Sequence, residues 1–163
     1  MKVDLYERVW MWLAAVLVAA FMGAIIVAAG VQAVRPPSHV ETIDPEAVYD
    51  SEEFSSPGVE IRPDGSVRVT MVAQMFFFEP QEVIVPAGAP VTFRVTSPDV
   101  IHGLEIVGTN ANAMVIPGYV SEFSVTFHEP GEYLMVCHEY CGTLHHEMQG
   151  LVIVQEADGE EDA

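Results

Sequence analysis

The run Cys137-His-Glu-Tyr-Cys141-Gly-Thr-Leu-His145-His-Glu-Met148 places two thiols, an imidazole and a thioether at steps of four, four and three. A second segment, Ser97-Pro-Asp-Val-Ile-His102-Gly, supplies another imidazole. Sulfur combined with imidazole is the ligand chemistry of copper, zinc and iron–sulfur centres. The thioether separates them, because methionine is a common weak axial ligand to copper and a poor ligand to zinc. A mononuclear blue-copper site takes two histidines, one cysteine and an axial methionine. This chain offers one thiolate more than that. Two thiolates can instead bridge two copper ions, each ion then taking one imidazole and one weaker ligand. His102 and His145 would then be the terminal imidazoles. Met148 and a backbone carbonyl within the Cys137–Cys141 loop would be the weak ligands.

Other readings of the same residues stay open at this level. Cys137 and Cys141 could form a disulfide in an oxidising compartment, which leaves the spacing of His145 and Met148 without a purpose. A structural zinc site would leave Met148 idle, and zinc signatures more often use Cys-x2-Cys. A single copper would make the chain a membrane-tethered mononuclear electron carrier, and an exposed, exchangeable one a copper chaperone or sensor. His39, His128, His138 and His146 read as solvated or hydrogen-bonded side chains. Met71, Met75, Met114 and Met135 read as core fillers. Met114, Ile116, Pro117 and Tyr140 are expected to exclude water from the site.

Ligands from two distant segments need a rigid scaffold, and the segments between them have the period of strands. Val67, Val69, Met71, Ala73 and Met75 alternate with Arg68, Thr70 and Gln74, and Val91, Phe93 and Val95 repeat the period. So do Phe123, Val125 and Phe127, while Val83–Val85, Tyr133–Val136 and Leu151–Val154 are short apolar runs. Turn residues at Pro86-Ala-Gly88, Ser97-Pro-Asp99, Pro117-Gly118, Pro130-Gly131 and Gly150 punctuate them. The expectation is a mainly β domain over residues 65–155, a small antiparallel sandwich. Residues 36–64, with five prolines and many acids, read as a linker holding a short helix around Pro45–Tyr49. Residues 156–163 read as an acidic disordered tail.

Residues 1–35 read as a transmembrane anchor. Val9–Val34 carries no charge, and a bilayer core needs about 20 apolar residues in a helix. The apolar region of a signal peptide is about 7–15 residues, shorter than this one. Trp10 and Trp12 lie where aromatic rings favour the headgroups. Lys2 and Arg8 are offset by Asp4 and Glu7, and Arg35 follows the helix. The small positive excess places the N-terminus inside and the β domain on the outer face of the plasma membrane.

The formal net charge is −18. From Glu41 onward 22 carboxylates face only Arg62, Arg68 and Arg94, which argues against nucleic acid as a partner. The acids are spread along the whole segment, which favours a halophilic surface over a patch for one basic partner.

The pattern Cys137-x-Glu139-x-Cys141-Gly-x-x-His145-x-x-Met148, preceded by Asp99-Val-Ile-His102-Gly, resembles subunit II of haem–copper oxidases. It is especially similar to the single-anchor subunit II of B-type (ba3-like) cytochrome c oxidases, over essentially the whole chain. The resemblance implies a cupredoxin-like Greek-key sandwich behind one anchor, and a binuclear CuA centre of two copper ions. It makes Cys137 and Cys141 the bridging thiolates, His102, His145 and Met148 side-chain ligands, and Glu139 a ligand through its carbonyl. In longer members the corresponding glutamate also touches a magnesium ion shared with subunit I. The resemblance also implies a soluble donor, a cytochrome c or a small blue-copper protein, whose electrons pass to haem in subunit I, where oxygen is reduced. The family places an aromatic residue over the copper as the point where electrons enter. In place of the Trp-rich run of many members this chain has Gln74-Met-Phe76-Phe77-Phe78-Glu79-Pro80, which puts Phe76 there. Nitrous oxide reductases carry a CuA domain too, fused to a large catalytic domain.

Overall fold

A computed structural model of the chain describes residues 4–31 and 41–156, which fall into a helical unit and a β unit. The first five residues of the expected linker and all but Glu156 of the expected tail lie outside the described residues, as does His39.

The helix α1 runs from Leu5 to Val31, 27 residues. Asp4 starts it, its carboxylate accepting from the Tyr6 amide at 2.9 Å. From Leu5 to Gly30 the mean hydropathy is 2.5. At 1.5 Å per residue the helix is about 40 Å long, more than the hydrocarbon thickness of a bilayer. Its backbone groups are satisfied within the helix, as a lipid environment requires.

The β unit holds eleven strands. They are β1 (Glu41–Thr42), β2 (Gly58–Ile61), β3 (Val67–Gln74), β4 (Phe77–Glu79), β5 (Glu82–Pro86) and β6 (Pro90–Thr96), then β7 (His102–Ile106), β8 (Asn112–Val115), β9 (Tyr119–Thr126), β10 (Gly131–Val136) and β11 (Gln149–Gln155). One sheet has the order β1-β9-β6-β3-β2, with β4 paired to β3; the other is β5-β11-β10-β7-β8. The alternating positions face each other across the two layers. Met71, Phe93, Val95, Leu104, Ile106, Met135 and Val152 expose no surface at all. Burying each such side chain stabilises the fold by about 1.5–3 kcal/mol, the main force holding the sheets together. Phe93 and Phe123, opposite each other on β6 and β9, stack with centroids 5.2 Å apart.

Two features differ from the expectation. The sandwich is not wholly antiparallel: β3 pairs with β6, and β5 with β11, in parallel. The crossovers separate the two strands of each pair by whole hairpins, and period-two alternation carries no strand direction. Residues 41–64 are also not a free linker. The expected short helix is there as a 3-10 turn, Pro45–Asp50, capped by Asp44. It belongs, however, to a strap folded over the outer face of the first sheet. β1 pairs with β9 and β2 with β3, and Val48 and Phe54, each 1% exposed, pack with Val72 and Val120. This second small core explains why both faces of β3 are buried, Val72 included.

The strap is also held by charge. Arg94 on β6, 8% exposed, donates to Glu41 at 2.7 Å, to Glu122 at 2.7 Å and to both carboxylate oxygens of Glu53. The Glu53 hydrogen bonds, working against burial, raise the Arg94 pKa further, so it stays a cation. Arg68 adds a looser 3.5 Å contact to Glu53.

Candidate metal centre

The two ligand segments meet at one end of the sandwich. His102 is the first residue of β7, paired to Val115 of β8. Cys137 follows the last residue of β10, and Met148 precedes the first residue of β11. The segment 137–148 is therefore one loop between adjacent strands. Its ends are tied by the Cys137 amide donating to the Met148 carbonyl at 3.2 Å, and its far half is wound by the 3-10 turn His145–Glu147.

The donor atoms converge. The sulfurs of Cys137 and Cys141 are 3.9 Å apart. His102 Nδ1 lies 3.9 Å from the Cys137 sulfur, and the Glu139 carbonyl 3.2 Å from it. His145 Nδ1 and the Met148 thioether each lie 3.6 Å from the Cys141 sulfur. His102 is wholly buried, and Met148, Cys141 and Cys137 are nearly so, while His145 is half-buried. All six residues singled out in the sequence are thus brought to one place.

This donor set fits a soft metal better than it fits a disulfide or a core. The cysteines are free, and their separation is far beyond the ~2.05 Å of an S–S bond. It is shorter than twice a metal–thiolate bond of about 2.3 Å, so both sulfurs can reach the same ion. Burial, and then the neighbouring Cys137, push the Cys141 thiol up to about 11. Two buried thiols beside two imidazoles are a poor arrangement without a cation and a good one with it, since a metal displaces the thiol protons.

The surroundings of His102 fix its ring. Its Nε2 meets Asp99 Oδ1 at 2.9 Å, which leaves Nδ1 pointing at the sulfurs. A carboxylate behind a ligand imidazole sets the tautomer and orientation and raises ligand basicity. Burial opposes the charge on Asp99, but hydrogen bonds from His102, Met75, Val100 and Ser97 outweigh it and hold the carboxyl below its usual range. The Asp99–Met75 bond, at 2.7 Å to the Met75 amide, joins the His102 surroundings to the turn between β3 and β4.

Phe76 sits on that turn, half-buried, with φ 103°. Its ring lies against Gly142, where an added Cβ would come within 2.9 Å of it. Gly142 itself has φ 135°, so the loop beside Cys141 needs glycine both for backbone and for space. Gly103 is required by space alone: a Cβ there would lie 2.3 Å from the His138 ring. His138 therefore lies beside the strand that starts at His102, and it, His128 and His146 are exposed, as expected of solvated side chains.

Several expectations about the apolar rim need correction. Tyr140 is 74% exposed, its ring edge-on to His145 at 5.9 Å, and Met114 and Ile116 are about 40% exposed. They form surface around the site rather than a seal, because β8 is an edge strand and Tyr140 lies on a loop. Met75, expected as core, is also exposed. The roles of Asp99, Gly103 and Gly142 were missed in the sequence. Asp99 had a signal, a carboxylate three residues before a ligand histidine.

The comparisons with known proteins agree with this geometry. Residues 63–156 match the family described as cytochrome c oxidase subunit II, periplasmic domain. A cytochrome c oxidase subunit 2 of Thermus thermophilus is 36% identical over 155 residues, covering 93% of this chain and 92% of the relative. A cryo-EM structure of a haem–copper terminal oxidase dimer contains a chain 33% identical, with TM-score 0.72, covering 92% of this chain and 99% of that one. The periplasmic domain of subunit II of the Bradyrhizobium japonicum cytochrome oxidase, 19% identical with TM-score 0.52 over 62% of this chain and 88% of that one, shares the fold. Two buried thiols and an imidazole on a cupredoxin-like sandwich behind one apolar helix therefore have their explanation: the chain belongs to the cytochrome c oxidase subunit II family, as a haem–copper oxidase subunit with a CuA-like domain.

Proposed function

We propose that this chain takes electrons from a small soluble donor at a binuclear copper centre and passes them to haem in subunit I, where oxygen is reduced. Cys137 and Cys141 would hold two copper ions between them, together with His102, His145, Met148 and the Glu139 carbonyl. The observation that carries this reading is the pair of free, buried thiols 3.9 Å apart, flanked by one imidazole each and by one weaker donor each. A single copper would need only one of those thiols. When bound, copper would supply one-electron redox chemistry at this place.

The chain's own residues keep the ligand geometry the same in both redox states. The tied loop 137–148, which carries five of the six donors, and the Asp99–His102 bond, which holds the sixth, restrain the set from positions the sandwich fixes. Phe76, between solvent and Gly142, is the position at which electrons arrive, and the donor is a cytochrome c or a small blue-copper protein. The apolar helix anchors the chain as a single pass, with the copper domain on the outer face of the plasma membrane, as the charge balance about the helix supports.

The test is the copper-to-protein ratio of the purified full chain together with its EPR spectrum. Two coppers per chain with hyperfine structure shared between both nuclei is the expected result. One copper with a mononuclear pattern would sink the binuclear assignment and leave a tethered single-copper carrier.

A further inference from the structure

We propose that Tyr49 is a positioning residue for electron acceptance, bracing the Met75–Phe76 turn from the strap and so setting where Phe76 lies against the copper loop. This rests on Phe76 being the position at which electrons arrive. The turn needs a brace. A phenylalanine at φ 103° is a strained backbone, of a kind that persists only where its surroundings over-determine it.

Three holds on the turn can be named. Asp99 accepts from the Met75 amide on the inner side, and the Phe76 amide donates to the Gln74 carbonyl across the tight turn itself. The third is at the base of the hairpin. The Tyr49 phenol donates to Glu79 Oε2 at 2.7 Å and accepts from the Gln74 side-chain amide. Gln74 is on β3, paired with Phe77, and Glu79 is on β4, paired with Val72. One hydroxyl therefore ties both strands that carry the turn.

A brace must itself be fixed, and this one is. Tyr49 stands next to Val48, which is 1% exposed in the strap's own small core together with Phe54. The strap is pinned further by Arg94 through Glu41 and Glu53, and by the pairing of β1 with β9. A flexible linker could not hold a phenol in place. Burial, then the Glu79 hydrogen bond, raise the phenol's pKa above its ordinary value, so it remains a donor across the working pH range.

The test uses the copper-loaded oxidase complex with Tyr49→Phe, Phe76→Leu and the double variant. Y49F is expected to leave the copper EPR unchanged while amide exchange rises in the peptide 74–79. Copper reduction by reduced cytochrome c should slow several-fold, reduction by dithionite should not, and the double variant should be no slower than F76L. Glu79→Gln keeps an acceptor for the phenol and should behave as the parent. Unchanged exchange and donor rate in Y49F, with F76L slow, would overturn the brace and leave Phe76 in its role. An F76L variant as fast as the parent would remove that role and this proposal with it. Exchange rising across all of 41–156 in Y49F would mean general destabilisation and would also overturn the brace.

Discussion

His102 exposes no surface, so every hydrogen bond it makes is made inside the protein. One ring nitrogen faces the sulfurs and the other faces Asp99, which leaves this histidine nothing to exchange with water. Asp99→Ala would orphan a buried ring nitrogen and the Met75 amide together. We expect it to cost about 1–3 kcal/mol of stability and about 10–100-fold in copper affinity, read by denaturant unfolding and by competition with a copper chelator. Unchanged affinity would show that the carboxylate only closes the turn. The thiols give a second prediction. Burial and Cys137 hold the folded Cys141 proton up to about 11, against 9.0 for a free thiol. Below pH 9 both folded and unfolded chains keep that proton, and stability does not depend on it. Between 9 and about 11 the unfolded thiol ionises while the folded one does not, so the copper-free chain should lose stability as pH rises through that window. Denaturant midpoints at pH 8 and pH 10 test this; equal midpoints would contradict it. The converging donor residues were legible in the sequence because five of the six lie within twelve residues whose spacing is itself the pattern. Asp99 was in view without a role, because nothing in a sequence says which way an imidazole turns.

At the scale of elements, the sandwich could be read from its alternation, and the strap could not. Its core residues Ile43, Val48 and Phe54 are five and six positions apart, a spacing with no helical or strand period. Its strands are two and four residues long, and prolines and acids give it the composition of a linker. Only tertiary contact makes it an element. Arg94 is the same lesson in one side chain: in sequence it is a charge interrupting Phe93 and Val95, and in the fold it is the pin of the strap. Arg94→Leu would remove three ion pairs while leaving Glu41 and Glu122 half in water, so the loss should be milder than for a fully buried pair. We expect about 2–3 kcal/mol, with amide exchange rising first in 41–56. If the midpoint stays put and the strap stays protected, the small core of Val48 and Phe54 alone holds it.

From Glu41 onward 22 carboxylates stand against three arginines, and the question for the molecule as a whole is what that excess does to a domain of this size. The three arginines of the β unit are not spread to balance it, since Arg94 is spent inside its own carboxylate cluster and Arg68 leans on Glu53. The remaining carboxylates repel one another across the surface, and that repulsion is reduced only by counterions. The Debye length falls from about 10 Å at 0.1 M salt to about 3 Å at 1 M, so neighbouring surface acids are screened while the Arg94 contacts at 2.7 Å are scarcely weakened. Folded stability should therefore rise between 0.1 M and 2 M potassium chloride, which thermal unfolding at several salt concentrations would record. If the acids serve instead to draw in a basic donor, stability would stay level with salt while the rate of electron delivery fell steeply. Measured on one preparation, the two salt profiles separate the readings. Rising stability with a flat delivery rate is the outcome expected of a surface built for concentrated salt.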